Sequence, residues 1–197
     1  MPFLCLLIGY ILGNFSTGMI VAGTNGTDIR HEGSGNPGTT NVLRVMGPRA
    51  GIITFIGDFC KAVLAVLIGY WIGGNNMQCW CTVCASVGVI CGHNWPVFFG
   101  FKGGKGVACT SAIILLMFPG YGAAAVLICL AAIFLSRYVS LGSILMTFSF
   151  FMMMIFTHQS FLFVAWAAVL CGLCVYRHLA NIGRLISGTE NRLHFRK

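Results

Sequence analysis

The chain has 197 residues, 57% of them hydrophobic and 8% charged, with a mean hydropathy of +0.87 and a formal net charge of +8. So few charges on so apolar a chain exclude a soluble globular domain and indicate a multi-pass membrane protein. Nucleic-acid binding is set aside because the lysines and arginines lie in short loops between apolar runs, the pattern of cytoplasmic loops.

Taken in order, the apolar runs predict an all-α bundle of about seven transmembrane spans in one domain, residues 1–197. The first run, residues 3–22, follows a start with no basic side chain and no small-residue cleavage site. It reads as a retained span rather than a signal peptide. Asn14, Ser16 and Thr17 near its end are polar but uncharged. A polar loop over residues 23–50 carries Asp28, Arg30, His31, Glu32, Arg44 and Arg49. The second span, 51–72, holds Asp58 and Lys61 at i and i+3, on one helical face. Charges at membrane depth face a polar interior or each other, so this is an ion pair or a support for a site.

The uncharged Gly73-Gly74-Asn75-Asn76 leads to a third span, 78–99. Pro119-Gly120 divides the next run into a fourth segment, 107–118, and a fifth, 121–136. The fourth falls short of the roughly 20 residues that cross a bilayer, so it reads as a partial or broken helix. Merging it with the fifth would leave an over-long helix and disturb the charge alternation. The sixth and seventh spans are 139–157 and 161–176, and the tail carries Arg177, Arg184, Arg192, Arg196 and Lys197. With seven spans the basic loops fall at or near one face. The positive-inside rule then places the N-terminus outside and the C-terminus in the cytoplasm. The first loop, the loop after the third span and the tail converge on the cytoplasmic surface.

The densest chemistry lies in the loop after the third span, Gly92-His-Asn-Trp-Pro-Val-Phe-Phe-Gly-Phe-Lys-Gly-Gly-Lys-Gly106. Gly103, Gly104 and Gly106 allow close approach to the backbone. Lys102 and Lys105 add charge, and a predicted helix starts at Val107, so the loop suits an anion. It is not a Walker A loop, because Gly106 stands where Ser or Thr belongs. His93 sits at the end of the span beside Trp95 and could cap or anchor at the interface; its role stays open. The first loop contributes Ser34-Gly-Asn-Pro-Gly-Thr-Thr-Asn-Val-Leu-Arg44. Ser34, Asn36, Thr40 and Asn41 supply donors, and Arg44 offers a fork for phosphate or carboxylate. The alternative is an ordinary turn with a helix N-cap at Thr40 or Asn41. In the tail, His178, Asn181 and Arg184 recur at spacings of three and would share a helical face; the plainer reading is a basic helix at anionic headgroups.

His31, His158 and His194 are isolated and read as structural or solvated. Most of the ten cysteines lie in apolar segments, and packing is the expected role even for Cys81-x-x-Cys84 and Cys171-x-x-Cys174. No paired carboxylates, HExxH or Ser-His-Asp order occurs, and no residue stands out as base or covalent nucleophile. The site is built to bind anions.

Three stretches, Ser34–Arg44, Gly92–Ala108 and Arg177–Glu190, resemble in order the cytoplasmic motifs of the bacterial integral-membrane acyl-phosphate:glycerol-3-phosphate acyltransferases. Thr39 stands where alanine is common, and Cys109 follows the second motif where threonine is common. The resemblance implies transfer of a fatty acyl group from acyl phosphate to the 1-hydroxyl of glycerol 3-phosphate, at the cytoplasmic side of a bacterial inner membrane. The products are lysophosphatidic acid and inorganic phosphate. It implies catalytic roles for Ser34, Arg44, Lys105, His178 and Asn181. Phosphate or substrate binding falls to Asn36, Gly38, Thr40, Asn41, Gly103, Gly104, Gly106, Arg184 and Glu190, the last also orienting the basic residues. No cofactor or metal and no nucleic acid is expected; the partners are the two substrates and the bilayer, and the protein is expected to be a monomer. The competing class is a transporter of a phosphorylated small solute, whose polar groups belong at the midplane and not, as here, at one surface. A non-catalytic lipid-binding scaffold does not account for so dense a cluster of motifs.

Overall fold

Prolines open three helices of this chain. Pro2, Pro48 and Pro119 each stand in the first helical turn, where the missing N–H costs nothing. The computed structural model describes residues 1–193 and contains, among them, nine α-helices and no strand. The helices are α1 (Pro2–Gly13), α2 (Thr17–Thr24), α3 (Thr39–Met46), α4 (Pro48–Asn94), α5 (Val107–Met117), α6 (Pro119–Ser136), α7 (Val139–Phe156), α8 (Phe161–Arg177) and α9 (Leu179–Ile186). The chain forms two compact units, Met1–Ile113 and the residues from Ile114 onward.

In the first unit α4 folds back on itself. Gly74 takes φ 52° and ψ −158°, a conformation that leaves the helix. Beyond it the arms run side by side, so that a Cβ on Gly69 would lie 2.8 Å from that of Ala85. Small residues let α1 reach the second arm. A side chain on Gly9 or Gly13 would collide with the backbone at Ala85 or Val89, and one on Gly88 or Gly92 with that at Leu6 or Tyr10. Two small-x-x-x-small faces thus meet backbone to backbone, the packing that substitutes for hydrophobic drive in lipid. Cys5, Cys81 and Ala85 are buried together at this contact.

In the second unit α6, α7 and α8 follow one another, and Phe118, Phe150, Phe163 and Trp166 form a cluster with ring centroids 5.0–6.4 Å apart. Edge-to-face pairs of this kind add to area burial. Arg137 closes α6 in the left-handed conformation.

The expected seven spans are corrected. Four helical stretches are long and apolar enough to cross a membrane: Pro2–Thr24, Pro48–Phe99 (counted once although it folds back), Pro119–Ser136 and Val139–Phe156. A fifth arises if α8 and α9, bent by 62°, are taken together. α5 has only 11 residues. At 1.5 Å per residue that is roughly 16 Å, about half of the hydrocarbon core.

Candidate functional site

The first polar loop is shaped by its own amides. Asn41 Oδ1 accepts the Ser34 N–H at 2.9 Å, and Asn41 Nδ2 donates to the Glu32 carbonyl at 2.9 Å. Asn36 Oδ1 accepts the Gly38 N–H at 2.8 Å, an Asx turn that leads into α3. Both asparagines are therefore engaged in holding the loop. The N-cap is Gly38, not Thr40 or Asn41. Ser34 and Arg44 are exposed, and neither side chain has a hydrogen bond or ion pair with another described residue. Thr39 Oγ1 is buried without a partner among the described residues. Elsewhere in the loop Arg30 pairs with Asp28 at 2.7 Å, and its hydrogen bonds hold the Asp28 carboxyl well below the usual carboxylate range.

The glycine-lysine loop rests on the end of α4. The Gly103 N–H donates to the Asn94 carbonyl at 3.2 Å and the Gly104 N–H to the His93 carbonyl at 3.0 Å. A side chain on Gly103 would collide with the His93 carbonyl, and one on Gly104 with the His93 ring. Gly106 has φ +73°. Both N–H groups thus donate within the chain. What these glycines supply is close approach. Lys105 is half-buried, and the first turn of α5 follows it with N–H groups that no intrahelical carbonyl satisfies.

Beneath this loop lies a buried cluster. Lys61 Nζ is 2.8 Å from Asp58 Oδ1, 2.9 Å from His93 Nδ1, 2.7 Å from the Phe15 carbonyl and 3.2 Å from the Gly13 carbonyl. The Asp58–Lys61 pair read from the i, i+3 spacing is present, and His93 completes it. Asn94, 0% exposed, leaves both amide atoms without a partner among the described residues. That is rare for a buried polar group.

In the second unit the tail folds back onto α9. Glu190 accepts from Asn181 Nδ2 at 2.6 Å, Arg184 Nε at 2.7 Å and Ser140 Oγ at 2.9 Å. Burial alone would raise its carboxyl, but the hydrogen bonds from Asn181, Arg184 and Ser140, with the Arg184 charge, hold it below the ordinary glutamate range. Glu190 thus ties Asn181 and Arg184 together. His178 is the N-cap residue of α9 rather than a member of it. It is buried, and its Nδ1 lies 2.8 Å from the Cys174 carbonyl. Since a carbonyl only accepts, Nδ1 carries a proton in this contact.

Three contributors escaped the sequence: the link from Lys61 to His93, the buried Asn94, and Ser140. Asn94 and His93 adjoin the glycines, a usable signal; Ser140 gives none. His31 and His158 are exposed, and His194 lies outside the described residues.

The family model for glycerol-3-phosphate acyltransferase matches residues 3–188. The chain belongs to the glycerol-3-phosphate acyltransferase family. Curated members of similar sequence include those of Thermoanaerobacter sp. (strain X514), 40% identical over 96% of this chain and 94% of the relative, and of Aquifex aeolicus (strain VF5), 36% identical over 95% and 96%. Among solved structures, PlsY, an integral membrane glycerol 3-phosphate acyltransferase, matches in its glycerol 3-phosphate form with a TM-score of 0.91 and 35% identity, covering 98% of this chain and 96% of that one. Its lysophosphatidic acid form matches with a TM-score of 0.88.

Proposed function

We propose that this protein is a glycerol-3-phosphate acyltransferase that takes its acyl group from acyl phosphate. The 1-hydroxyl oxygen of glycerol 3-phosphate attacks the acyl carbonyl carbon, the bond from that carbon to the phosphate oxygen breaks, and the hydroxyl proton leaves with the phosphate. Lysophosphatidic acid and inorganic phosphate result. Phosphate is a good leaving group, so the donor is already activated. Positioning and charge stabilisation then suffice, without a covalent enzyme intermediate.

The observation that carries the reading is the pair Ser34 and Arg44, a hydroxyl and a fixed cation exposed and without internal partners among the described residues. In the first unit Ser34, Thr40, Arg44 and Lys105 bind phosphate, on loops shaped by Asn36, Gly38, Asn41, Gly103, Gly104 and Gly106. In the second, His178 and Asn181 act on the reacting groups, held by Arg184 and Glu190. The match across residues 3–188 supports reading both units as one catalytic domain. The relatives' names and the two ligand forms of PlsY support the acceptor and the product. The lysines and arginines of the three motif stretches support an N-terminus outside, a C-terminus in the cytoplasm and a site at the cytoplasmic face of a bacterial inner membrane. Alkaline phosphatase fused after Asn76 should then be active and after Gly188 silent; the reverse rejects this orientation.

The test of the donor is extraction of lysophosphatidic acid after incubating purified protein with labelled glycerol 3-phosphate and either palmitoyl phosphate or palmitoyl-CoA. Product from the phosphate alone is expected. Product only from the thioester rejects the donor, and solute flux across vesicles without any product moves the protein to transport.

A further inference from the structure

Asp58, Lys61 and His93 are buried, at 1%, 9% and 3% exposure, and none is among the proposed substrate contacts. Removing such charges from water is costly, and a buried ion pair is often no more stabilising than apolar residues of the same size. Stability alone therefore does not account for the cluster, and its place beneath the glycine-lysine loop does.

Lys61 Nζ lies 2.9 Å from His93 Nδ1 and so ties that edge of the ring to α4. Asp58 Oδ1 lies 3.6 Å from Nδ1, beyond a hydrogen bond, and serves as counter-ion to Lys61 at 2.8 Å. The remaining donors of Lys61 reach the Gly13 and Phe15 carbonyls, where α1 breaks before α2. His93 is thereby held at its Nδ1 edge while its Nε2 edge meets Gly104. The same residue's carbonyl receives the Gly104 N–H. The α1–α2 break also grips the start of the loop: Asn14 Oδ1 accepts the Val97 N–H at 2.6 Å, and the Tyr10 hydroxyl donates to the Trp95 carbonyl at 2.8 Å.

We infer that Asp58, Lys61 and His93 are positioning residues of the acyltransferase. Lys61, neutralised by Asp58, locks the His93 ring, and the ring is the floor on which Gly103–Gly106 takes the shape that receives a substrate phosphate. The inference rests on the functional reading above, and its test separates the two.

The test compares Asp58→Asn/Lys61→Met, which removes both charges and leaves none unpaired, with Lys61→Arg, which keeps the cation. Purified full-length proteins are assayed for unfolding temperature, KM for glycerol 3-phosphate and kcat. In the folded double variant KM should rise about tenfold or more, the equivalent of about 1.4 kcal/mol, while kcat changes less. Lys61→Arg should recover most of the loss. A folded double variant with the original KM, or a loss of kcat with KM unchanged, overturns the inference. If the double variant does not fold, His93→Asn decides: it leaves an acceptor for Lys61 but takes the ring from under Gly104, so a raised KM supports the floor and an unchanged KM overturns it. If the unaltered protein shows no acyl transfer, the functional reading has failed, and amide exchange at Gly103 and Gly104 decides alone. Faster exchange in His93→Asn supports the positioning role, and unchanged exchange overturns it.

Discussion

Gly104→Ala is the sharpest single perturbation of the glycine-lysine loop. The backbone at Gly104 is not in the left-handed region, so alanine adds no conformational strain there. Its methyl would overlap His93 Nε2 and lie 2.9 Å from Cε1 and 3.0 Å from Cδ2. The ring cannot retreat, because Lys61 holds Nδ1 at 2.9 Å. The loop must yield instead. Forcing a methyl into a packed site costs about 1–3 kcal/mol. Taken entirely from the substrate-bound shape, that is roughly a 5- to 150-fold rise in KM for glycerol 3-phosphate. The assay is steady-state kinetics on the purified variant beside its thermal unfolding. Gly23→Ala is the control: it is helical, a Cβ there meets nothing within 4 Å, and alanine is the better helix former. A Gly104→Ala protein whose KM stays within about twofold of the original would refute the steric argument, since the smallest expected cost exceeds that factor.

Arg44→Lys exchanges a fork for a point charge, and with one charged hydrogen bond lost the KM for glycerol 3-phosphate should rise about tenfold. Its unfolding temperature should not move, because Arg44 is exposed and has no partner among the described residues; unchanged kinetics would remove it from the site. Glu190→Gln puts an amide NH2 where a carboxylate oxygen accepted, facing donors from Asn181, Arg184 and Ser140, and should destabilise by about 1–3 kcal/mol, nearer the lower value because Arg184 is partly exposed. The pH sign follows from the lowered carboxyl. Glu190 contributes stability above the ordinary glutamate range and loses it as pH falls through its own lowered value, so acid titration of unfolding should be flatter in the variant. An equally steep titration would contradict that role. His178→Ala should lower kcat yet keep the shape of the pH–rate profile if the leaving phosphate takes the proton; loss of one limb with binding retained would make Nε2 of His178 the base.

Membrane class and the three polar stretches were legible because apolar runs and clustered donors are local properties of the chain. The pairing of Asp58 with Lys61 was legible for the same reason, being one turn of one helix. The step from Lys61 to His93 was not, since 32 residues and the fold-back at Gly74 separate them and no periodicity predicts which buried cation meets which ring. The span count failed where length decides. Residues 107–118 were correctly short but were still counted, and the bend at His178, which makes α8 and α9 pass only as a pair, follows from an N-cap geometry without a proline or glycine to announce it. The packing of Gly103 and Gly104 on His93 and Asn94 was not legible, because nothing local to the glycine-lysine loop says which backbone it rests on. Asn36 and Asn41 are likewise engaged by the loop itself, Asn36 as acceptor and Asn41 as both acceptor and donor.

The most direct test of the account is release of inorganic phosphate by the detergent-purified protein given palmitoyl phosphate, with and without glycerol 3-phosphate, beside Lys105→Ala. The account predicts release that needs both substrates, matches lysophosphatidic acid one for one, and collapses in the variant. Phosphate release without the acceptor, or full activity in Lys105→Ala, would contradict it.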